Sequence, residues 1–190
     1  MKPLPITPEG ILALTWKDIE PHYRELVEQP LGQDNLTSWL SAWSRAAEIV
    51  DELYNRLYVA TTCNTADKQV EAQFQRFLDE IYPYAMQAEQ DLKQKLLSSE
   101  LEPVGFEIPL RNMRAEAMLF RESNIPLLAE EQKLNTEYDQ IIGAQTVEWR
   151  GSENTLTQLR AELKNPDRAT RQKVWQLIAD RQLADRAAIN

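Results

Sequence analysis

Apolar side chains recur at helical spacing along most of the chain, and the longest such run begins just after Asn35. Two neighbouring apolar rows make up this run: Leu36, Leu40, Trp43, Ala47, Val50, Tyr54 and Leu57, and beside them Trp39, Ala46 and Leu53. Steps of three and four positions bring side chains to one face of an α-helix. The pattern predicts a long helix that Asn35 caps and that ends near Thr61 or Thr62.

A second apolar run of the same kind begins after Asn64 or Thr65. Its predicted buried side chains are Val70, Phe74, Phe77, Ile81, Tyr84, Ala88, Leu92 and Leu96. Pro83 lies inside the run, and an interior proline removes one helical hydrogen bond and clashes with the preceding turn. We therefore predict one long helix with a kink at Pro83. Because only a short polar segment separates the two runs, they should form an antiparallel hairpin.

Shorter elements flank this hairpin. A helix is predicted over Lys17–Glu28, with Pro21 in its first turn. Its predicted buried side chains are Ile19, Tyr23, Leu26 and Val27. Two prolines and a glycine predict a loop over 98–109, and helical spacing returns over 110–120. The sequence therefore predicts an all-α fold, in which a long antiparallel hairpin packs with several shorter helices.

The last third of the chain continues this helical pattern. A helix is predicted over 128–144, and its expected buried side chains are Leu134, Tyr138, Ile141 and Ile142. Residues 146–149 alternate between polar and apolar and predict a turn or a very short strand. Further helices are predicted over 155–163 and from Asp167 onward. For the last of these, Asn165 is the expected cap and Pro166 the expected first helical residue.

The segment "FRESNIPLLAEEQKL" interrupts the helical pattern between residues 120 and 134. A proline disfavours helical geometry at the residue before it, so Pro126 should keep Ile125 out of the helix. We therefore predict that a helix running to about Arg121 breaks near Asn124, which tolerates left-handed geometry. Acidic residues then favour the start of the next helix. The sequence indicates a joint between two helices at this position.

Composition limits the kinds of function that the chain can have. The 190 residues carry a net charge of -9, which disfavours non-specific binding to nucleic acid because that requires a basic face. The single cysteine cannot form an internal disulfide, which indicates an intracellular and, we expect, cytoplasmic protein. The sequence contains neither a signal-peptide pattern nor an apolar run of membrane-spanning length.

Candidate catalytic and metal-binding residues are few. His22 is the single histidine, so the chain cannot contain an H-E-x-x-H zinc motif or the Glu-x-x-His pairs of a di-iron bundle. Cys63 has neither a CxxC partner nor a second histidine to activate it. We expect His22 to be an ordinary helix-surface residue and Cys63 a half-buried residue at a helix end. The residues themselves therefore predict no catalytic site and no metal site, and they leave the substrate-binding residues unknown.

A cluster of basic residues near the end of the chain could hold a phosphate. Its members are Arg160, Lys164, Arg168, Arg171 and Lys173. The simpler interpretation is that the cluster marks a helix start, where Arg168 and Arg171 pair with neighbouring acids.

Several segments in succession resemble the N-terminal half of zinc-dependent oligopeptidases of the oligoendopeptidase F and thimet oligopeptidase type. The best matches are "LFRESNIPLLAEE", "TVEWRGSENTL" and "NPDRATRQKVW", and the resemblance extends from about Trp16 to Asn190. It implies a mostly helical lobe, assigned to 1–190. Within that lobe, 16–97 form the hairpin region and 98–190 form shorter helices that lead towards a catalytic domain.

The resemblance also implies a function. The parent protein would be a zinc metalloendopeptidase that hydrolyses short peptides, and this lobe would be one channel wall and a gate for substrate size. The family's H-E-x-x-H lies downstream of the matched region, so zinc is implied for the parent and no cofactor for this chain. The chain alone should be inactive. Whether the stop at Asn190 is natural, proteolytic or artificial stays open.

The implied partners are the C-terminal catalytic domain of the same polypeptide and a short peptide substrate, with no nucleic acid and no membrane. An isolated lobe would expose apolar surface and should self-associate. The alternative is a stand-alone all-α protein-interaction module that uses the Trp-rich hairpin as a partner groove.

Overall fold

The computed structural model describes residues 3–189, so Met1, Lys2 and Asn190, the end of the predicted lobe, lie outside the described residues. The predicted all-α class is confirmed, with one small antiparallel sheet beside the helices. The helices are α1 Pro8–Leu12, α2 Trp16–Glu28, α3 Leu36–Cys63, α4 Lys68–Glu80, α5 Tyr82–Ser98, α6 Glu107–Leu119, α7 Ile125–Gly143, α8 Leu156–Arg160, α9 Arg168–Ala184 and α10 Arg186–Ile189. The strands are β1 Thr146–Trp149 and β2 Ser152–Thr155, and short 3-10 turns cover Glu122–Asn124 and Ala161–Lys164. Among the described residues, no helix is long and apolar enough to cross a membrane.

The chain divides into two compact units. Unit 1 contains residues 3–61 and 68–133, and unit 2 contains 62–67 and 134–189 of the described chain. Unit 1 holds a large core to which every helix from α1 to α6 contributes buried side chains. Unit 2 holds a small core of Leu156, Leu159, Val174 and Ile178.

The predicted hairpin forms the centre of unit 1. Towards the end of α3, Tyr58 contacts the middle of α4, where the Phe74 ring centroid lies 6.1 Å from its own. Towards the start of α3, the Trp43 Nε1–H donates to a Glu89 oxygen in the middle of the later helix α5, at 2.8 Å. This reversed order of partners shows that α3 runs antiparallel to α4 and α5.

The second arm of the hairpin is two helices, where the sequence predicted one kinked helix. The break falls at Ile81, whose φ of -122° and ψ of -52° depart from helical values, and Pro83 then occupies the first turn of α5. This break changes which side chains face the core. Ala85 is buried, whereas Tyr84, which was predicted to be buried, is 55% exposed.

The buried face of α3 is centred on the second of the two predicted apolar rows, which contains Trp39, Ala46 and Leu53. Trp39, Ala46 and Leu53 are almost completely buried, whereas Leu40 and Tyr54 are half-buried. Asn35 directly precedes α3 as predicted, but its side chain does not cap the helix. Its Oδ1 instead accepts a hydrogen bond from the Gly32 N–H at 2.8 Å, which closes the preceding turn.

Helix α2 begins earlier than predicted. Thr15 and Asp18 form a capping box that starts the helix at Trp16, so Pro21 lies in the helix interior and not in its first turn. Val27, predicted to be buried, is 40% exposed. The end of the helix is held by the ammonium group of Lys95, which donates to the carbonyl oxygens of Leu26, Val27 and Gln29.

The joint between α6 and α7 differs from the prediction. Helix α6 starts at Glu107, inside the predicted loop, and ends at Leu119. The break falls at Phe120 and Arg121, where ψ is 134° and 119°, so Asn124 is not the breaking residue. Ile125 has helical values of -55° and -51° and begins α7. The preference against helical geometry before Pro126 is therefore overridden, because Ile125 packs into buried surroundings at 6% exposure.

Unit 2 contains a short strand at 146–149, where the sequence predicted a turn or a very short strand, and a second strand that was not predicted. β1 and β2 pair from Thr146 with Thr155 to Trp149 with Ser152. Arg150 and Gly151 have φ of 53° and 79°, the two positive values that a two-residue type I′ hairpin turn requires.

Two further expectations for unit 2 were wrong. Most of the side of α7 predicted to be buried is exposed: Leu134 is 56%, Tyr138 49% and Ile142 38% accessible, whereas Ile141 is half-buried. The cap of α9 is Asp167 and not Asn165, because the Asp167 carboxylate accepts hydrogen bonds from the N–H groups of the first helical turn.

Candidate functional site

A cavity of about 400 Å³ lies within unit 1 between α2, α3, α4 and α5, and it is the best candidate for a binding site. Aromatic side chains form much of its wall: Tyr23, Tyr54, Phe77, Tyr82 and Phe120. The break at Ile81 helps to build this wall, because Tyr82 comes directly after it. Phe120, directly after α6, also lines the cavity.

Glu89 is the central polar group of the cavity. One carboxylate oxygen accepts a hydrogen bond from the Tyr23 hydroxyl at 2.6 Å, and the other accepts one from the Trp43 indole N–H at 2.8 Å. Burial raises the pKa of Glu89, although both hydrogen bonds and the charge of Lys93 act in the opposite direction. Burial and the charge of Glu89 also raise the pKa of Tyr23, so Tyr23 remains a proton donor.

Three further polar side chains line the cavity. Asp51 is exposed at its rim, and its charge opposes the ionisation of both Glu89 and Tyr23. Lys93 forms an ion pair with Glu116 at 2.7 Å. Gln90 is only 7% exposed, and its side chain makes no hydrogen bond to another residue in the described part of the chain.

This arrangement is suited to recognising a polar group inside an aromatic enclosure. The two carboxylate oxygens of Glu89 accept hydrogen bonds from donors on two other helices, α2 and α3. The predictions that the chain contains no catalytic residue, and that its substrate contacts cannot be named, remain predictions.

Neither of the two residues weighed for metal or nucleophile chemistry lies in the cavity. His22 is half-buried on α2, beside a separate surface recess that Lys17 and Asp18 also line. Cys63 is exposed at the end of α3, where a half-buried residue was expected. Over residues 3–189 there is no group of three or more His, Cys, Asp or Glu side chains that could hold a metal ion. A catalytic zinc therefore does not fit these residues.

The basic cluster near the end of the chain has a structural role at one of its members. The Arg171 guanidinium donates to the carbonyl oxygens of Asn165 and Pro166, at 2.7 and 2.8 Å, and so holds the turn before α9. This contact agrees with the interpretation of the segment as a helix start, although the partners are carbonyl groups and not the predicted acids.

Sequence patterns did not identify Glu89 or Gln90. Both residues are polar and lie just after Ala88, a member of the predicted apolar row of the second run. The available signal was their position on the edge of an apolar face, where polar side chains are usually solvated. Only the approach of α2 and the break before Pro83 enclose them.

A family model described as the Peptidase M3 N-terminal domain matches residues 13–108. The matched segment runs from before α2 to the first residues of α6, and it contains every residue discussed in the cavity except Phe120 and the Lys93 partner Glu116. No curated protein and no solved structure matches the chain.

Proposed function

The chain belongs to the family of Peptidase M3 N-terminal domains, and from this membership we propose that it is the N-terminal lobe of a zinc-dependent oligoendopeptidase of the oligoendopeptidase F type. In this proposal the lobe forms one wall of a channel and restricts access to short or unfolded peptides. The family match over 13–108 is the observation that carries the proposal.

Hydrolysis would be performed by a catalytic part outside these 190 residues. Zinc bound there would supply an activated water, but no zinc site fits the described residues of this chain. The residues of this lobe would therefore position and select peptides. The hairpin of α3 with α4 and α5 supports this role, since its aromatic core provides a rigid wall.

Exposed apolar side chains support a partner for each unit. In unit 1, Met118 and Leu119 at the end of α6 are 77% and 76% exposed. In unit 2, Leu134 and Tyr138 are about half exposed on α7, and Trp175 is 62% exposed on α9. Exposed apolar groups of this size favour a protein interface. We propose that the catalytic domain of the same polypeptide covers them.

The same side chains support the alternative, a stand-alone all-α interaction module. The two candidates differ in the coding sequence downstream of residue 190, so the gene beyond that codon distinguishes them. An H-E-x-x-H motif downstream would support the peptidase lobe, whereas a stop codon directly after Asn190 would support the module. A cytoplasmic location is part of either proposal, supported by the single cysteine.

Turnover of a quenched-fluorescent peptide tests where catalysis lies. The purified 190-residue chain should give no turnover above buffer, with or without added zinc, because a metal site is missing from its described residues. A polypeptide that carries both this chain and the downstream motif should cleave the peptide and lose activity with a chelator. Chelator-sensitive turnover by the 190-residue chain alone would overturn the proposal.

A length series of peptides tests the gate. The polypeptide that carries both parts should cleave short unstructured peptides and spare the same cleavage sequence when it lies inside a folded protein. Equal rates for the peptide and the folded protein would contradict a size-selecting wall.

A further inference from the structure

We propose that the cavity around Glu89 is a binding site for an organic cation, a primary ammonium or guanidinium group carried on an apolar stem. Four observations support this assignment: an acidic side chain that forms no ion pair with another described residue, a cavity-lining amide without a hydrogen bond to another described residue, an aromatic wall, and a lysine that forms its ion pair with Glu116. The inference is independent of the proposed peptidase role, since binding requires no catalysis.

The first observation is the charge balance at Glu89. Its two hydrogen bonds come from neutral donors, the Tyr23 hydroxyl and the Trp43 indole, and no ion pair joins it to another described residue. A carboxylate offers about four acceptor positions, so each oxygen retains capacity for a further donor. A half-buried carboxylate such as Glu89 is stabilised by a cation more than by neutral donors. Asp51 at the rim adds a second negative charge.

The second observation is the amide of Gln90. This residue is only 7% exposed, lines the cavity, and makes no side-chain hydrogen bond to another residue between 3 and 189. Because Gln90 lines the cavity, its amide is available to a ligand there. An ammonium or guanidinium in the cavity would donate to the Gln90 amide oxygen and to Glu89 together.

The third observation is the wall. The rings of Tyr54, Phe77 and Tyr82 lie within 5.9–6.5 Å of one another by centroid distance and line the cavity with Phe120. Aromatic faces attract cations, and their edges accommodate an apolar stem. A volume of about 400 Å³ is within the range of small-molecule pockets and admits a butyl-sized stem with its charged end.

The fourth observation decides the sign of the ligand charge. Lys93 lines the same cavity, but its ammonium group pairs with Glu116 at 2.7 Å. Its charge also acts on Glu89, but its ion pair is formed with Glu116, so the cavity carries two carboxylates, Glu89 and Asp51, beside one paired ammonium group. Both carboxylates would repel an anion, whereas their oxygens would attract a cation.

Titration of the ¹⁵N-labelled full chain with n-butylammonium tests the proposal. The five tryptophan indole N–H groups give separate signals, and a Trp43→Phe variant assigns the one bound to Glu89. We expect a saturable shift of the Trp43 indole signal with butylammonium. Neutral N-butylacetamide, which has a similar stem, should give no saturable shift. Saturation by both compounds alike, or by neither, would overturn the proposal.

Variants show whether the carboxylate is responsible. Glu89→Gln should raise the butylammonium Kd about tenfold or more, because a charge-assisted hydrogen bond is lost. Glu25→Gln is the matched control: Glu25 is exposed on α2 and pairs with no other described residue, and its replacement removes the same charge. The Kd should change less than about twofold in this control. Equal effects of the two variants would show non-specific attraction and contradict the site.

A second variant keeps the test decisive if Glu89→Gln does not fold. Asp51 is exposed, so Asp51→Asn should fold normally and raise the Kd about twofold to fivefold. An unchanged Kd in Asp51→Asn, measured with the folded protein, would count against an acidic recognition site.

Two probes then separate the natural sources of such a cation. N-acetyl-lysine amide carries only a side-chain ammonium, and alaninamide carries only an α-ammonium. We expect N-acetyl-lysine amide to bind more tightly, since its four-carbon stem contacts the aromatic wall. Preferential binding of alaninamide would also support the cation site and would assign it to peptide N-termini, whereas binding of neither probe would contradict it.

Discussion

Leucines with the same helical apolar spacing are buried in unit 1 and exposed in unit 2. Leu53 on α3 lies in the large core of unit 1 and is 2% exposed, whereas Leu134 on α7 in unit 2 is 56% exposed. Both were predicted to be buried from apolar spacing of three and four. The difference lies in what covers them: α3 packs against α4 and α5, but the apolar side of α7 in unit 2 has no such cover within the described chain.

The tryptophans of the two units show the same contrast. In unit 1 the Trp39 indole N–H donates to the Leu26 carbonyl oxygen and that of Trp43 to Glu89, at 2.9 and 2.8 Å. In unit 2 the Trp149 Nε1 is buried and has no hydrogen-bond partner among the described residues. The indole N–H groups of Trp39 and Trp43 therefore have acceptors within unit 1, whereas that of Trp149 in unit 2 has none among the described residues. Unit 1 also contains one buried side-chain atom without a partner, the Gln87 Oε1 atom, so the contrast concerns the indoles alone.

The largest expected effect comes from truncating the matched leucines. Leu53→Ala should lower the free energy of unfolding by about 2–5 kcal/mol, because it leaves a cavity in the large core. Leu134→Ala, the same chemical change at an exposed site, should alter it by less than about 0.5 kcal/mol. Urea denaturation followed by circular dichroism measures both. Similar losses in the two variants would show that α7 is covered as well as α3 is.

The tryptophans offer a second matched pair with a smaller effect. Trp43→Phe should cost about 1–3 kcal/mol, because the half-buried Glu89 loses a hydrogen-bond donor. Trp149→Phe removes a donor that has no acceptor in the described chain, so we expect a change within about 1 kcal/mol in either direction. Denaturant midpoints of the two variants check this order. A larger loss for Trp149→Phe would contradict the unpaired state of its indole.

The pH dependence of stability sharpens the description of unit 1. Burial raises the pKa of Glu89, so the folded protein binds this proton more tightly than the unfolded chain does. The resulting stability is complete below the ordinary glutamate value of 4.5 and is lost as the pH rises through the higher folded pKa. Groups that face Glu89 are Tyr23 on α2, Asp51 on α3 and Lys93 on α5.

The Glu89→Gln variant isolates this contribution. The stability of the native chain relative to the variant should rise as the pH falls from 7 towards 4.5, because the variant has no proton to bind there. Paired urea titrations across this range measure the difference. A difference that stays constant with pH would contradict the raised pKa.

A substitution on the exposed side of α7 should have the smallest effect on stability, but it should measurably change self-association. The isolated chain should associate as its concentration rises, and Leu134→Lys should weaken this association by introducing charge into the apolar side. Val104→Lys is the control, since Val104 is fully exposed in the loop before α6. Sedimentation velocity at several concentrations reports both. A strictly monomeric native chain would contradict the expected self-association.

Apolar spacing identified α3 and the second arm, because helical periodicity depends on neighbours along the chain. The short polar segment between the two runs predicted their antiparallel pairing. Apolar spacing placed Tyr84 in the core and missed Ala85, because the break at Ile81 shifts the helical phase after it. It also placed the joint at Asn124. The break lies at Phe120, and the Arg121 guanidinium there donates to the carbonyl oxygens of Met118 and Phe120. Such a side-chain cap depends on three-dimensional geometry that residue spacing does not encode.

The sequence by itself determined the all-α class, the long hairpin and the resemblance that the family match supports, and it left 146–149 as a turn or a very short strand. These features arise from local periodicity and from motifs, both of which are written along the chain. Only the tertiary structure decided which apolar faces are covered and where Glu89 and Gln90 meet an aromatic wall. Burial depends on residues brought together from distant parts of the chain, and a pattern of spacing shows which face is apolar but not what covers it.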